Sequence, residues 1–227
     1  GIQHGRMAGA ITAGGVRWQA AVAAAQRQIR GTLGALLLQR QKWDALVAES
    51  QRTLNHLINV ATERSYLVQH VAMPACGAAV LQSRLHAGNC RECERHMQRL
   101  RQQCNRLQDA ADGMRSAADS TAAFVHTTTT LLGAEWSAHT ALFRSVPPAR
   151  LCALAREVAD SYATELELKL AMVADLERLL ADSVDVRFLR QDVLTAYLAA
   201  WIMQPTQVTI GEGTVEARVR VITTELE

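Results

Sequence analysis

One pattern of apolar and polar positions dominates the chain between residues 86 and 125. Apolar or small side chains recur there at alternating steps of four and three residues, and the positions between them are mainly polar or charged. The members of this stripe are His86, Cys90, Cys93, Met97, Leu100, Cys104, Leu107, Ala111, Met114, Ala118, Thr121 and Val125. A period of 3.5 residues is typical of one helix that packs lengthwise against another. A helix cannot bury its own stripe, so we expect other segments to cover it.

A second long helical segment is predicted over residues 16–72. Its apolar stripe comprises Val22, Ile29, Leu33, Leu36, Trp43, Val47, Leu54, Leu57, Ala61, Val68 and Val71. Four further stripe positions are polar or small, namely Gln26, Arg40, Ser50 and Arg64. Gly31 and Gly34 each weaken a helix by roughly 0.8–1 kcal/mol relative to Ala. The segment is therefore either one helix or two nearly collinear helices with a break near these glycines.

A short connection joins these two segments. Pro74 ends the first because it lacks an N–H and clashes with the preceding turn, and Cys76 and Gly77 form the link to a second helix over residues 78–131. Helices of matched length joined by a short turn form an antiparallel hairpin. The run from Thr127 to Thr130 is β-branched, and we expect the second helix to fray there.

Two more helices are predicted in the C-terminal third. Ser145-Val-Pro-Pro148 is a helix-start signal, and the apolar face of residues 148–181 comprises Leu151, Leu154, Val158, Tyr162, Leu166, Val173, Leu176 and Leu180. The next helix follows the candidate caps Ser183 and Asp185 and ends at Pro205. Its apolar residues are Phe188, Leu189, Val193, Leu194, Tyr197, Leu198, Trp201 and Ile202.

The remaining segments have weaker patterns. Residues 133–147 read as a connector whose Trp136 and Phe143 dock onto the helices, and the Gly- and Ala-rich residues 1–15 are expected to be disordered. In the last segment, Val215, Ala217, Val219 and Val221 alternate as in a strand, whereas Val215, Val219, Ile222 and Leu226 fit a helix capped by Thr214. We favour the helix because no partner strand is predicted.

The predicted fold is therefore all-α. It consists of a long antiparallel coiled-coil hairpin over residues 16–132, the connector over residues 133–147, and a C-terminal helical region over residues 148–227 that contains a helical pair. An apolar content of 49% with only 4% aromatic residues in a chain of 227 residues agrees with helices.

Composition excludes several classes of function. The net charge is only +2, and the basic residues are dispersed without aromatic residues on which bases could stack, so we expect no direct nucleic-acid binding. No run of eighteen apolar residues occurs, so we expect no transmembrane helix and no membrane partner. Five cysteines, most of them on one predicted helix, indicate reduced thiols in an intracellular protein that is nuclear, cytoplasmic or both.

The cysteines of the second helix have a spacing that superficially suits a metal. Cys90, Cys93 and His96 are three residues apart, and Cys104 follows. On one continuous helix, however, His96 is rotated about 240° from Cys90, and Cys104 lies roughly 12 Å beyond His96 along the helix axis. We therefore interpret the thiols as core filling and predict no metal and no cofactor. No phosphate-binding glycine loop or nucleophile–base pair is present, so we predict that the protein is not an enzyme.

The most informative cluster of side chains lies between Tyr197 and Pro205. Tyr197 and Trp201 are four residues apart and share one face of the fourth helix, in a chain otherwise poor in aromatic residues. One interpretation is a hydrophobic cap of the helical bundle. The other is a docking patch for a partner, because Tyr and Trp dominate the energetics of protein interfaces. The two interpretations are compatible.

The C-terminal third resembles the cyclin-dependent kinase 2-interacting protein family. The resemblance is carried by Tyr162-x-x-Glu165-Leu166-x-x-Lys169 and by Tyr197-Leu198-x-x-Trp201-x-x-Gln204-Pro205. The matching stretch covers residues 143–208. The remainder agrees only in the order and length of its helices, and the tail after Val208 departs from the family pattern.

This resemblance implies a non-catalytic adaptor with protein partners. Members of the family are described as binding cell-cycle kinases and checkpoint components, and as joining a complex of AAA+ ATPases that serves large-ribosomal-subunit maturation and replisome turnover. The resemblance further implies a hetero-oligomer, with partner-binding residues Tyr162, Glu165, Lys169, Tyr197, Trp201, Gln204 and Pro205. The alternative is a structural coiled-coil subunit of a tethering or cytoskeletal complex.

Overall fold

A computed structural model describes residues 4–70, 78–181, 191–207 and 214–227. Within these ranges the regular structure is entirely helical, which confirms the predicted all-α fold. The α-helices are α1 (His4–His70), α2 (Ala78–Leu132), α3 (Ala134–His139), α4 (Pro148–Ala181), α5 (Gln191–Met203) and α6 (Val215–Leu226), and a 3₁₀ turn (Pro205–Gln207) follows α5. No described helix has the length and hydropathy of a membrane span.

The chain forms two compact units, each made of separate stretches of sequence. Unit 1 comprises Gly1–Arg40, Asp112–Ser161 and Thr209–Glu227. Unit 2 comprises Gln41–Ala111 and Tyr162–Val208. Helices α1, α2 and α4 each contribute to both units, so the unit boundaries divide the hairpin and the C-terminal region delimited from the sequence, whereas the connector lies within unit 1.

Helices α1 and α2 form the predicted antiparallel hairpin. In unit 1, Thr121 Oγ1 donates to Thr32 Oγ1 at 2.7 Å, and a Cβ placed on Gly113 would lie 2.8 Å from Gln39 Cδ. Residue numbers therefore decrease along α2 as they increase along α1, so the two helices are antiparallel. Unit 2 shows the same order, because Gln103 Nε2 donates to Glu49 Oε1 at 3.0 Å and the rings of His56 and His96 stack with centroids 5.8 Å apart.

The two predicted stripes form the cores of the units. On α2, every stripe residue from Cys93 to Val125 is buried, while His86 and Cys90 are half-buried. On α1, the stripe residues from Ile29 to Ala61 that were predicted as apolar are all buried, and Val22 is half-buried. The side chains of Val68 and Val71 lie outside the described residues. Burial therefore supports the interpretation of Cys93 and Cys104 as core filling.

The prediction of a narrow stripe on α2 was wrong in one respect. Gln103, Ala110 and Ala117, which recur every seven residues beside the stripe, are also buried. In unit 2, α2 contacts both α1 and α4: Gln103 donates to Glu49 of α1, and Arg101 pairs with Glu177 of α4.

Helix α1 runs without interruption through Gly31 and Gly34, so the break considered near these glycines does not occur. It also begins at His4, which differs from the disorder expected over residues 1–15. Alanines at positions 8, 10 and 13 favour the helical conformation there.

Replacing Gly31 or Gly34 with Ala is expected to stabilise the protein by about 0.8–1 kcal/mol per site. A Cβ at either position meets no heavy atom within 4 Å, so Ala adds helix propensity without a clash. Urea unfolding followed by circular dichroism measures the gain. Gly133→Ala is the control: its φ of +93° is unfavourable for Ala, so it should destabilise the protein. Destabilisation by Gly31→Ala would contradict a continuous helix.

The fraying expected near the end of α2 does not occur. The helix extends to Leu132, and the hydroxyls of Thr127, Thr128, Thr129 and Thr130 each donate to the carbonyl four residues earlier. These bonds hold the β-branched side chains in a helical arrangement. The following segment contains α3, in which Trp136 is buried as predicted, and the Arg30 guanidinium lies 5.2 Å from the centroid of the Phe143 ring.

The predicted C-terminal helices are also present. Helix α4 has the predicted bounds, and its eight predicted face residues are all buried. Helix α5 ends at Met203, just before Pro205, while the candidate caps Ser183 and Asp185 and the apolar Phe188 and Leu189 lie outside the described residues. The last segment is a helix, as favoured, and Thr214 Oγ1 accepts from Ala217 N at 3.1 Å.

Helix α6 is fixed within unit 1 by Glu225. Its carboxylate accepts hydrogen bonds from the backbone N–H groups of Arg144, Ser145 and Val146 and from Ser145 Oγ, which is 2.7 Å away. Burial alone would raise the pKa of Glu225, but these hydrogen bonds outweigh it and hold the pKa below its usual value.

Unit 1 is accordingly expected to lose stability on acidification. A carboxylate with a lowered pKa in the folded state stabilises that state above its unfolded pKa of about 4.3, and the contribution is lost as pH falls through the folded value. Glu225→Gln should remove this part of the pH dependence below pH 5, as measured by thermal unfolding at a series of pH values. The control is Glu216→Gln, an exposed residue on the same helix. An unchanged acid profile in Glu225→Gln would contradict this role.

Candidate functional site

A buried ion pair lies at the centre of the residues that carry the family resemblance. Glu165 and Lys169 are four residues apart on α4, a spacing that places them on one face of the helix. Both side chains are fully buried in unit 2, and Lys169 Nζ lies 3.0 Å from Glu165 Oε1 as an ion-pair contact. Burial lowers the pKa of Lys169, and the attraction of Glu165 offsets this only in part.

The ion pair connects α4 to the end of α5. Lys169 Nζ donates to the carbonyl oxygen of Trp201 at 2.9 Å and lies 4.6 Å from the centroid of the Trp201 ring, within range of a cation–π interaction. On the other side, Glu165 Oε2 accepts from Thr206 Oγ1 at 2.5 Å and from Thr206 N at 3.2 Å. One charged pair therefore holds the last turn of α5 and the 3₁₀ turn that follows it. We call Glu165, Lys169, Trp201 and Thr206 the ion-pair cluster.

Trp201 also joins α5 to α1. Its ring is fully buried, and its Nε1 donates to Ser50 Oγ at 3.0 Å. A buried Trp N–H needs an acceptor, and Ser50 supplies one from a position where the α1 stripe has a small residue. The Ser50 hydroxyl donates in turn to the carbonyl of Val47 at 3.0 Å.

The Gln204-Pro205 corner is fixed by a second tryptophan. Gln204 has a φ of +47°, a left-handed conformation that ends α5. Its Oε1 accepts from Trp43 Nε1 at 2.8 Å and from Gln207 Nε2 at 3.0 Å. Trp43 also packs edge-to-face against Tyr162, with ring centroids 5.3 Å apart. These contacts compensate for the strain of a left-handed residue other than glycine.

Tyr197 lies nearer the surface, half-buried on α5. Its hydroxyl donates to Asp175 Oδ2 of α4 at 3.3 Å. Burial and the neighbouring carboxylate both raise the pKa of Tyr197, so the hydroxyl stays protonated at neutral pH and acts as a donor.

The structure brings the seven predicted partner-binding residues together, but it buries four of them. Tyr162, Glu165, Lys169 and Trp201 have almost no accessible surface, Tyr197 and Gln204 are half-buried, and Pro205 is exposed. The burial of Trp201 fits its interpretation as a cap of the helical bundle, and Tyr162, Glu165 and Lys169 likewise lie in the interior of unit 2. Partner contact, as a prediction, now concerns Tyr197, Gln204 and Pro205 and their exposed neighbours Ile202 and Met203.

The described cysteines of unit 2 are free thiols, with Cys93 and Cys104 buried and Cys90 half-buried. Burial raises the pKa of Cys93 and of Cys104 to about 11, so both are neutral at physiological pH. A neutral thiol is a poor nucleophile and a poor metal ligand. Among the residues that the structure describes, no group of three or more His, Cys, Asp or Glu side chains is placed to hold a metal ion.

Comparison with known proteins adds no relative. No protein-family model matches the chain, and no curated protein matches it.

Proposed function

We propose that this protein is a non-catalytic adaptor subunit of a multiprotein assembly that contains AAA+ ATPase subunits, as the cyclin-dependent kinase 2-interacting proteins do. The observation that carries this proposal is the convergence of the residues that resemble the family. Although they are spread over α4, α5 and the turn after it, they meet in the ion-pair cluster and at its edge.

The ion-pair cluster holds the end of α5 in place, so the exposed residues there form a rigid surface. Met203 is 70% exposed and Ile202 is 44% exposed, and both lie within four residues of the fully buried Trp201. Pro205, the next residue but one after Met203, is also exposed. We call Ile202, Met203 and Pro205 the α5 end surface. Since apolar residues on a preorganised element lose little entropy on binding, this surface suits protein docking.

The burial of the charged pair also supports a structural rather than a catalytic role. Glu165 and Lys169 are the strongest candidates for acid–base chemistry among the residues of the resemblance, yet neither has accessible surface on which a substrate could bind. Their hydrogen bonds go to the Trp201 carbonyl and to Thr206, which are parts of the fold.

Loss of the α5 end surface is expected to weaken binding to an AAA+ ATPase complex. Burying one large apolar side chain contributes about 1.5–3 kcal/mol, so Met203→Glu or Ile202→Glu should raise the Kd by roughly tenfold or more. Biolayer interferometry with the purified full chain and an immobilised AAA+ ATPase complex of the family's kind would measure this change.

The matched control is Leu131→Glu, at a residue in unit 1 that is 77% exposed. It should leave the Kd within about twofold of wild type, because an exposed site outside the interface contributes little. Equal weakening by Leu131→Glu would contradict a localised α5 end surface. If the wild-type chain bound no AAA+ complex, the adaptor proposal would fail in favour of a structural coiled-coil subunit, which the long hairpin of α1 and α2 favours.

From the same resemblance we propose a cell-cycle kinase as a further partner and a nuclear or cytoplasmic location. On this proposal the protein acts in large-ribosomal-subunit maturation and in replication. Titrating a purified cyclin-dependent kinase in the same format tests the kinase as a separate partner.

A further inference from the structure

Unit 2 contains a cavity of about 310 Å³ that is separate from the ion-pair cluster. It lies between three helices, with Arg64 contributed by α1, Cys90, Cys93 and Met97 by α2, and Leu180 by the end of α4. Ligand sites in proteins occupy about 300–1,000 Å³. The cavity is therefore large enough for a small molecule or for a single side chain.

Arg64 places a buried cation with one unsatisfied N–H group at this cavity. Its residue surface is only 6% exposed, and a guanidinium stays protonated at any physiological pH. Nη1 donates to the carbonyl of Leu180 at 3.1 Å, whereas Nε has no hydrogen-bond partner. Among the described residues, no carboxylate forms an ion pair with Arg64.

The end of α4 neutralises this charge only in part. The carbonyl of Leu180 lies in the last turn of α4, where the helix dipole is equivalent to roughly half of a negative charge. A buried N–H group without an acceptor has a free-energy cost. An anion that completes the hydrogen bonding of Arg64 would remove that cost.

The other walls of the cavity determine which anion fits. Glu94 and Glu177 also line it, and Glu177 already pairs with Arg101. Arg101 lines the cavity as well, so the described lining carries two arginines and two glutamates. The glutamates repel a multiply charged ligand such as phosphate more strongly than a ligand with a single carboxylate. Met97 and Leu180 provide an apolar wall for a short hydrocarbon stem.

We propose that this cavity binds one carboxylate group on a short apolar stem, with Arg64 as its counter-ion. The carboxylate belongs either to a small free acid or to an acidic side chain of a protein partner. The planar guanidinium binds a carboxylate through two parallel hydrogen bonds. Nε and the second terminal nitrogen are suited to donate them, since Nη1 is used by Leu180.

The cysteines provide a local readout of occupancy. Cys90 and Cys93 line the cavity, so a bound ligand should shield them from alkylation. Cys152 in unit 1 is a free thiol away from the cavity. Burial raises the pKa of both Cys93 and Cys152 to about 11, so their intrinsic reactivities are comparable.

The test measures iodoacetamide alkylation of the full chain at each cysteine by mass spectrometry, with 3-methylbutanoate as the probe. At a concentration of ten times the Kd, the rates at Cys90 and Cys93 should fall roughly tenfold while Cys152 is unaffected. The neutral amide of the same acid and inorganic phosphate should give no protection. The proposal would be overturned if 3-methylbutanoate protected all three cysteines equally, or if the neutral amide protected Cys90 and Cys93.

A second probe distinguishes the source of the carboxylate. The peptide acetyl-Gly-Glu-Gly-amide presents a protein side chain, and its Gln counterpart is the control. Protection by the Glu peptide alone supports a partner protein, and protection by 3-methylbutanoate alone supports a free acid. If neither protects, the proposal fails, while the adaptor function stays testable through the α5 end surface.

Variants of Arg64 show whether its positive charge is required for binding of the carboxylate. Arg64→Met should abolish protection, and Arg64→Lys should weaken it, since an ammonium lacks the planar geometry. Arg52 is an exposed arginine of unit 2 that does not line the cavity. In Arg52→Met, the probe should therefore protect Cys90 and Cys93 as it does in the wild type. Circular dichroism verifies folding, and if Arg64→Met does not fold, Arg64→Lys decides. Full protection in a folded Arg64 variant would overturn the proposal.

Discussion

Replacing Lys169 with Met is expected to destabilise unit 2 by about 3–5 kcal/mol, because it leaves Glu165 buried without its counter-charge. The variant also removes the donor to the Trp201 carbonyl that fixes the end of α5. Urea unfolding followed by tryptophan fluorescence suits the measurement, since Trp43 and Trp201 both lie in unit 2.

The double variant Glu165→Gln/Lys169→Met should recover most of this loss. Glutamine is neutral and retains an oxygen that accepts from Thr206, so no uncompensated charge remains in the interior. The two single losses should therefore sum to more than the double loss by about 1–3 kcal/mol. Additive effects would show that the two side chains do not stabilise each other, and would contradict the ion-pair cluster.

Trp201→Ala is expected to destabilise the protein by about 3–5 kcal/mol, as large-to-small changes of fully buried aromatic residues do. The cavity left behind lies between α1, α4 and α5, and the Ser50 hydroxyl loses the donor that it accepts from. Thermal and urea unfolding measure the loss.

Two variants define what Trp201 contributes. Trp201→Phe keeps most of the ring volume but lacks the indole N–H, so it isolates the hydrogen bond to Ser50, which contributes about 0.5–1.5 kcal/mol. Trp18→Ala, at a tryptophan of α1 that is largely exposed, should change stability by less than about 0.5 kcal/mol. Wild-type stability in a folded Trp201→Ala protein would place the ring on the surface.

Much of the fold could be predicted because helical periodicity encodes it directly. The stripe from Cys93 to Val125 marks the buried face of α2, and Ser145-Val-Pro-Pro148 marks the start of α4. Periodicity identifies the centre of a buried face but not its width, so the burial of Gln103 and Ala117 beside the stripe was not predicted. Local propensity was similarly insufficient at Thr127–Thr130, where hydroxyl bonds to the backbone sustain the helix.

Of the ion-pair cluster, Glu165, Lys169 and Trp201 were singled out from the sequence, whereas Thr206 and the burial of the other three were not predicted. The aromatic residues Tyr197 and Trp201 marked it, and the resemblance added Glu165 and Lys169. Nothing in the spacing indicates that an i,i+4 ion pair faces the interior, because the same spacing is common on exposed helix faces. Ser50 was recognisable only as a small residue in the α1 stripe, and its role as acceptor for Trp201 depends on the position of α5.

The charge of Arg64 shows the same distinction between pattern and environment. Its place in the stripe of α1 was visible in the sequence, but that place alone does not distinguish it from Arg40, which is only half-buried. The cavity beside it arises from the positions of α2 and α4, which no local pattern specifies.

The most direct test of the account compares two folded variants for binding to an AAA+ ATPase complex. The account predicts that Met203→Glu, at the α5 end surface, raises the Kd by roughly tenfold or more. The interior variant Glu165→Gln/Lys169→Met loosens the end of α5 but removes no exposed apolar side chain, so it should raise the Kd by a smaller factor than Met203→Glu does. The opposite result, with binding lost in the interior variant and retained in Met203→Glu, would contradict docking through the α5 end surface.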